Sequence, residues 1–404
     1  MDKIKKIVII GFGQRGQIYA GYTKKYPGRF KVAAVVDIDP EKRELASREY
    51  GCSVFADTAD FFKEPVPADA AVVAVQDCDH VAVTLRCMKE GYDILLEKPI
   101  ACTLEDCITL DKEAKNYKAK VVVCHVLRYT PFYSRIKQIL DDGILGDIIN
   151  VHASENVGYY HQAHSFVRGP WKNAAASTPM IVAKCCHDMD ILRWFMDKKP
   201  LKVSSFGALT HFTEKSAPLG ASSYCSECKI NDCVYNAQRI YKQYPWMASY
   251  FCRDNENESA VLQALKGTEY DRCVYKSGND VVDHQVTIIE FENGATACHT
   301  MTAFSKEIYR DIKIHGTKGE LVGVMEDNFF EVRPFGGEVY RVDSYPGDYY
   351  GNHGGGDEKL MDKFYGILCD GENVGASFLD VSIDSHRMAF GAEKSRVSGK
   401  TVVL

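Results

Sequence analysis

The chain has 404 residues, 46% of them hydrophobic and 26% charged, ordinary values for a globular enzyme of two or three domains. Its net charge of −6 argues against a phosphate-backbone partner, so no nucleic acid is expected. No apolar run reaches the ~18 residues a membrane helix needs, so no membrane association is expected. Fifteen cysteines are scattered along the chain, and Met1 leads within a few residues into an apolar strand, so no secretory leader is expected. Both features lead us to expect reduced thiols in a cytoplasmic protein.

The first element is an apolar strand ending in Gly11-Phe12-Gly13-Gln14-Arg15-Gly16, followed by a helical stretch and a second apolar strand ending in Asp37. Each part suits a dinucleotide. Gly11 permits a tight turn, Gly13 lets the backbone approach a pyrophosphate, and Gly16 lets the helix lie close to the strand. The helix N-terminus offers free N–H groups and a positive dipole end. Asp37, 21 residues beyond Gly16, is placed to accept hydrogen bonds from ribose hydroxyls and to repel a 2′-phosphate. NAD is therefore expected rather than NADP.

Strands and helices then alternate. We expect a helix over 41–50, a buried strand over 70–75, a helix over 80–90 capped by Asp79, a strand over 92–97, a helix over 104–117 and a strand over 121–124. This is the pattern of a doubly wound parallel sheet, whose ligands sit outside the carboxyl ends of the strands. Val75-Gln76, Glu97-Lys98-Pro99 and Cys124-His125 fall at such ends and are candidate cofactor contacts. The rhythm changes near residue 130. After a helix over 131–142 come alternating runs over 147–154, 202–209, 282–290, 295–301 and 310–315, with a hairpin signal at Glu292-Asn293-Gly294. Helices are expected over 357–368 and 382–395. The expected architecture is an α/β Rossmann domain over 1–127 and an α+β domain over 128–404 with a large, mostly antiparallel open sheet. A cysteine-bearing insertion covers about 214–272.

Glu97-Lys98-Pro99-Ile100, His187-Asp188-Met189-Asp190 and Gly316-Thr317-Lys318-Gly319-Glu320, together with the glycine turn, resemble the glucose–fructose oxidoreductase and inositol dehydrogenase (Gfo/Idh/MocA) family. The resemblance covers nearly the whole chain. It implies an NAD(P)-dependent oxidoreductase acting on the CH–OH groups of sugars and cyclitols. It also implies a homodimer or homotetramer formed through the second-domain sheet. Many members carry an Asp four residues before the catalytic His, where this chain has Ala183 beside Lys184. The stretch resembles a branch with Lys-x-x-His-Asp-x-Asp, which makes Lys184 and Asp188 candidate substrate contacts. Gln76-Asp77-Cys78 and His125 likewise depart from the usual Thr-Pro-Asn and Asn.

Removing a hydride from a carbinol requires the hydroxyl proton to be taken up or its charge stabilised, and Lys98 and His187 are the candidate catalytic residues. Asp190, at i+3 from His187, could fix the imidazole tautomer. Alternatively, these acids and His187 simply satisfy a helix start. The segment Tyr159–Trp171 mixes flat faces with hydrogen-bond donors, as sugar sites do. Tyr160, His161, His164, Arg168 and Trp171 are candidate substrate contacts, or else packing for a loop over the second sheet. Cys225-x2-Cys228-x4-Cys233, with Cys252 19 residues further on, has the spacing of a structural zinc site, with Cys273 another candidate fourth ligand. Free packing thiols are the plain alternative. Asn352–Asp357 is either a glycine loop flanking the active site or an ordinary turn, with Asp357 capping the helix after it.

Two enzymatic readings follow. One is an NAD-dependent dehydrogenase of a sugar, cyclitol or sugar derivative. The other is a redox-assisted glycosidase that oxidises, eliminates and re-reduces without net NADH. A non-catalytic sugar sensor is a third reading, disfavoured by the presence of both Lys98 and His187.

Overall fold

The computed structural model describes residues 4–344, 352–371 and 375–404. Six parallel strands form the first sheet: β1 (Lys5–Ile10), β2 (Phe30–Val36), β3 (Ser53–Phe55), β4 (Ala70–Val73), β5 (Asp93–Leu96) and β6 (Val121–Val123). Their order is β3-β2-β1-β4-β5-β6. Helices cover both faces, which is why these strands carry apolar residues at successive positions; all four residues of β4 are buried. The strand order reverses between β1 and β4, and the crevice above that point is where such sheets bind ligands. Asp79 does not cap the helix His80–Lys89, which has no side-chain cap. His80 instead lies between the Val75 and Pro99 carbonyls, at 3.2 and 2.7 Å, and ties two strand ends together.

The second sheet has nine strands: β7 (Ile148–Asn156), β8 (Pro200–Ala208), β9 (His284–Phe291), β10 (Thr296–Thr302), β11 (Tyr309–Gly316), β12 (Gly319–Val324), β13 (Phe329–Pro334), β14 (Tyr340–Asp343) and β15 (Val402–Val403). Their order is β14-β13-β12-β11-β7-β10-β9-β8-β15. All pairs are antiparallel except β7 with β10. The alternation along each strand divides the two faces. Ile289, Met301, Ile312, Ile314, Leu321 and Phe330 pack against helices including Cys186–Met196. The opposite face leaves Phe206, Val286 and Ile288 exposed. Gly294 adopts φ +80° in the β9–β10 hairpin, as its Asn-Gly signal predicts.

The end of the chain returns to the first domain. The helix Gly356–Asp370 packs Leu360, Phe364 and Ile367 against Ile7, Ile9 and Phe30 of the first sheet. The helix Leu379–Ser398 puts Ile383 in the first domain's core and Met388, Ala389 and Ala392 in the second's. Between β8 and β9 the insertion holds the helices Ala237–Gln243 and Glu258–Leu265. It has a core of its own, with Phe212, Tyr241, Met247, Val261 and Leu265 packed on Tyr160, Ala163 and Val167. Among the described residues no helix is long and apolar enough to cross a membrane.

Candidate active site

The glycine turn has the shape its sequence implies. Gly11 sits at φ +93°, and a Cβ there would come within 2.3 Å of the Ala74 carbonyl oxygen. A Cβ on Gly16 would lie 2.1 Å from the Gly11 oxygen and 3.1 Å from the Ile9 side chain. Gly13 differs: nothing lies within 4 Å of its Cβ position, so its backbone is open to an incoming group. The helix Gln14–Lys25 that starts there has no side-chain cap and no acid in its first turn. Its first N–H groups and dipole end are left for an anion. Asp37 accepts the Phe12 N–H at 2.6 Å and the Asp39 N–H at 2.9 Å, which fixes its carboxylate at the edge of this turn. These residues fit the pyrophosphate and ribose of a dinucleotide.

Two side chains of the glycine turn point elsewhere. The Phe12 side chain is buried against Tyr50, so only its backbone belongs to the turn. Arg15 reaches away from the phosphate position. It donates to Glu97 at 2.5 Å and Asp357 at 2.6 Å, and it lies 3.5 Å from His353. Burial raises the Glu97 carboxyl, but Arg15 and the Tyr19 hydroxyl more than offset this and hold it below the usual carboxylate range. Glu97 therefore pairs with Arg15, and its contact to Lys98 is through the Lys98 backbone N–H at 3.1 Å.

Among the described residues the Lys98 ammonium makes no ion-pair contact with Glu97, whose nearest cation is Arg15. It donates to the Ala183 carbonyl at 3.0 Å, at the end of the short helix before Lys184. His187, in the first turn of Cys186–Met196, is held well below the ordinary histidine pKa by burial, by Lys98 and by its neighbours His125 and His353. Its imidazole is thus neutral at pH 7, and among the described residues its Nδ1 has no partner. Asp190 does not orient it: both Asp190 oxygens are taken by Arg128, at 2.5 and 2.6 Å. His125 has no exposed surface and lies behind His187, with ring centroids 5.7 Å apart. A side chain so enclosed cannot touch a cofactor, so His125 supports His187 from beneath. Gln76 is exposed and Val75 half-buried at the β4 end, beside the glycine turn.

A second charged network lies on the other wall. Lys184 pairs with Glu155 at 3.3 Å. Burial lowers the Lys184 ammonium pKa, partly offset by Glu155. Arg310 bridges Glu155 and Asp188, donating to the latter at 3.0 Å. Burial would raise the Asp188 carboxyl, yet Arg310 and His299 bring it down to about 2. Cys185, Asp188 and His299 stand close enough to hold a metal, but Arg310 already occupies Asp188 and adds a repelling charge. Asp188 is therefore engaged within the protein. His353 lies near His187, ring centroids 6.2 Å apart, so the glycine loop does flank the site. Asp357 serves Arg15 and His353 rather than capping its helix.

The segment 159–171 splits in two. His161 is half-buried and lowered by burial and by nearby Lys184, which places it in the cleft facing Trp246. Trp171 donates to Asp77 at 3.2 Å and joins the two domains at the cleft edge. The other three turn into the insertion. Tyr160 stacks on Tyr244 with centroids 3.7 Å apart, and His164 lies 2.9 Å from the Tyr241 hydroxyl and stacks on Tyr270. Arg168 is fully buried and donates to the Arg272 and Tyr235 carbonyls, both at 2.7 Å. These three side chains have no face left for a substrate. Cys225, Cys228 and Cys233 line one small cavity, as their spacing suggests. Its fourth cysteine is Cys273; Cys252 lies elsewhere, buried after the turn Pro245–Tyr250.

Arg310, Glu155, His299 and Arg128 leave little trace in the order of residues, because each comes from a different strand or turn. The cleft is also closed by the insertion, whose Ser249 accepts from Gln14 Nε2 at 3.0 Å and whose Arg253 pairs with Glu41.

Comparison with known proteins fits this geometry. Residues 5–125 match the model of an oxidoreductase family with an NAD-binding Rossmann fold, and residues 137–331 match that family's C-terminal alpha/beta domain. The chain therefore belongs to the Gfo/Idh/MocA oxidoreductase family, as the motifs suggest. It is 26% identical to "Putative oxidoreductase YteT" of Bacillus subtilis, over 90% of this chain and 89% of that one. It is 29% identical to inositol 2-dehydrogenase 2 of Saccharopolyspora erythraea, over 48% of this chain and 54% of that protein. Among solved structures, an Agrobacterium radiobacter oxidoreductase in complex with NAD+, L-tartaric acid and magnesium shares the fold. Its TM-score is 0.71 at 16% identity, covering 99% of this chain and 98% of that one. The WlbA dehydrogenase of Chromobacterium violaceum, in complex with NADH and UDP-GlcNAcA, gives a TM-score of 0.69 at 17% identity, covering 100% and 96%.

Proposed function

We propose that the protein oxidises a carbinol of a sugar, cyclitol or sugar derivative, with NAD bound at the glycine turn. The observation that carries this reading is a neutral, buried His187 beside the Lys98 ammonium, in a cleft that opens onto Gly13. Bound NAD supplies the hydride acceptor. His187 takes up the hydroxyl proton, and Lys98 steadies the negative charge that develops on the oxygen. Lys184 and His161 donate to and accept from neighbouring hydroxyls, while Trp171 presents a flat face at the cleft edge. The Arg15–Glu97–Asp357 cluster holds the strand end that carries Lys98. Relatives named as inositol dehydrogenases and a neighbour holding a nucleotide sugar support this substrate class.

Association through the outer face of the second sheet, where Phe206, Val286 and Ile288 are exposed, belongs to the same reading. So does a reducing, cytoplasmic setting, since all fifteen cysteines are free. The test is a screen of polyols and sugar derivatives with NAD, following NADH absorbance. Net NADH formation supports a dehydrogenase. Glycoside cleavage at constant NADH would replace it with an oxidation–elimination–reduction cycle. Sugar binding without turnover of any kind would leave a sensor.

A further inference from the structure

We propose that Cys225, Cys228, Cys233 and Cys273 bind one structural zinc ion that fastens the insertion. The four side chains line a single cavity under Tyr235 and Tyr275, although Cys273 is 40 residues beyond Cys233 in the chain. Cys225 and Cys228 stand on one tight turn, with the Cys228 N–H on the Cys225 carbonyl at 3.2 Å.

A second, independent observation points to an anion at this place. Arg168 is 1% exposed and, among the described residues, forms no ion pair: its contacts are two carbonyls and a thiol. Its Nε and Nη2 rest on neutral carbonyls, its Nη2 also lies 3.5 Å from the Cys225 sulfur, and its Nη1 has no partner. A buried guanidinium without a counter-charge is costly. Zinc bound by four thiolates carries two net negative charges, so the bound cluster places a counter-charge in direct contact with Arg168. In binding, the four thiol protons leave to solvent and four Zn–S bonds form.

As the chain stands, no three of these sulfurs lie within 4.8 Å of one another. Tetrahedral coordination at Zn–S distances near 2.3 Å would draw them to about 3.8 Å apart. The consequence reaches the cleft. The loop between Cys233 and Cys273 carries the turn Pro245–Tyr250, whose Ser249 holds Gln14 of the glycine turn. The metal thus fixes one wall of the cofactor cleft from a distance and takes no part in chemistry.

The test is metal content, which is independent of dehydrogenase activity. Protein purified without chelator should carry one zinc per chain by elemental analysis. Cys273→Ala should lose it, and Cys252→Ala should keep it. If Cys273→Ala fails to fold, Co2+ added to chelator-treated wild type decides instead: tetrahedral thiolate coordination gives intense visible bands and sulfur-to-cobalt charge transfer. Zinc-free protein that also gives no such bands overturns the proposal. So does loss of metal from Cys252→Ala but not from Cys273→Ala, or purified protein whose mass shows these cysteines joined as disulfides.

Discussion

The cleft and the insertion both bury arginines, and they treat them differently. In the cleft, Arg15 has Glu97 and Asp357, Arg128 has Asp190, and Arg310 has Glu155 and Asp188. Each charge is answered by another within the chain. In the insertion, Arg168 meets two carbonyls and a thiol. The cleft's arginines are held by the chain's own carboxylates, while its Lys98 ammonium rests on a carbonyl and is left for a ligand that comes and goes. A region with an unanswered charge calls for a resident partner.

The comparison is sharpest at Arg310. Arg310→Met leaves Glu155 and Asp188 buried with Lys184 as their remaining cation, a change expected to destabilise the fold by about 3–5 kcal/mol, the usual effect of breaking a buried pair. Urea unfolding of wild type and variant measures it. A loss below about 1 kcal/mol would mean that this network is hydrated rather than closed.

Next in size are the two residues placed to handle the proton. Lys98→Ala and His187→Ala should each lower turnover by roughly a hundredfold or more while the protein still folds and binds NAD. Steady-state kinetics with calorimetric NAD binding checks this. Near-normal turnover in either variant removes that residue from the chemistry.

Acid should unfold the protein through its histidines. Burial lowers His125 to about 4, His164 and His386 to about 3, and His161 and His187 well below 6.5. Below pH 6.5 the unfolded chain takes up protons that the folded chain refuses, so stability falls with falling pH. The loss is at most about 1.4 kcal/mol per histidine per pH unit, until each folded pKa is reached. Glu326, raised to about 7 by burial, works in the opposite sense by one proton between its ordinary value and 7. Denaturation midpoints should therefore drop steadily from pH 7 to pH 5; a flat profile would mean that these rings are hydrated.

The smallest effect expected is on cofactor choice. Asp37→Ser should relax the preference for NAD over NADP by about tenfold, or 1.4 kcal/mol, in calorimetric affinities. Tighter NADP binding by the wild type would contradict the place given to Asp37.

Much of this was legible in the order of residues. The glycine turn, the acid at the β2 end and the apolar runs of β4 and β5 are local patterns, and local sterics decide them. Gly11 needs a positive φ, Gly16 has no room for a side chain, and a strand buried on both faces must be apolar throughout. The hairpin at Gly294 is of the same kind. The strands β12 to β14 leave only a weak signal in the sequence, because they are 6, 6 and 4 residues long and their alternation is too brief to stand out.

What only the tertiary structure decided is where long side chains point and which distant residues meet them. Tyr160, His164 and Arg168 share a segment and a chemistry with His161, yet the turn Tyr159–His161 and the wide-turn helix Gln162–Arg168 that follows it send them toward the insertion. Asp190 has the spacing to serve His187 but lies nearer a stronger partner, Arg128. Cys273 rather than Cys252 completes the thiol cavity because the Tyr224–Arg272 bridge brings the end of the insertion back beside its start. Sequence spacing fixes which residues share a turn. Burial and charge pairing across the fold fix what each of them does there.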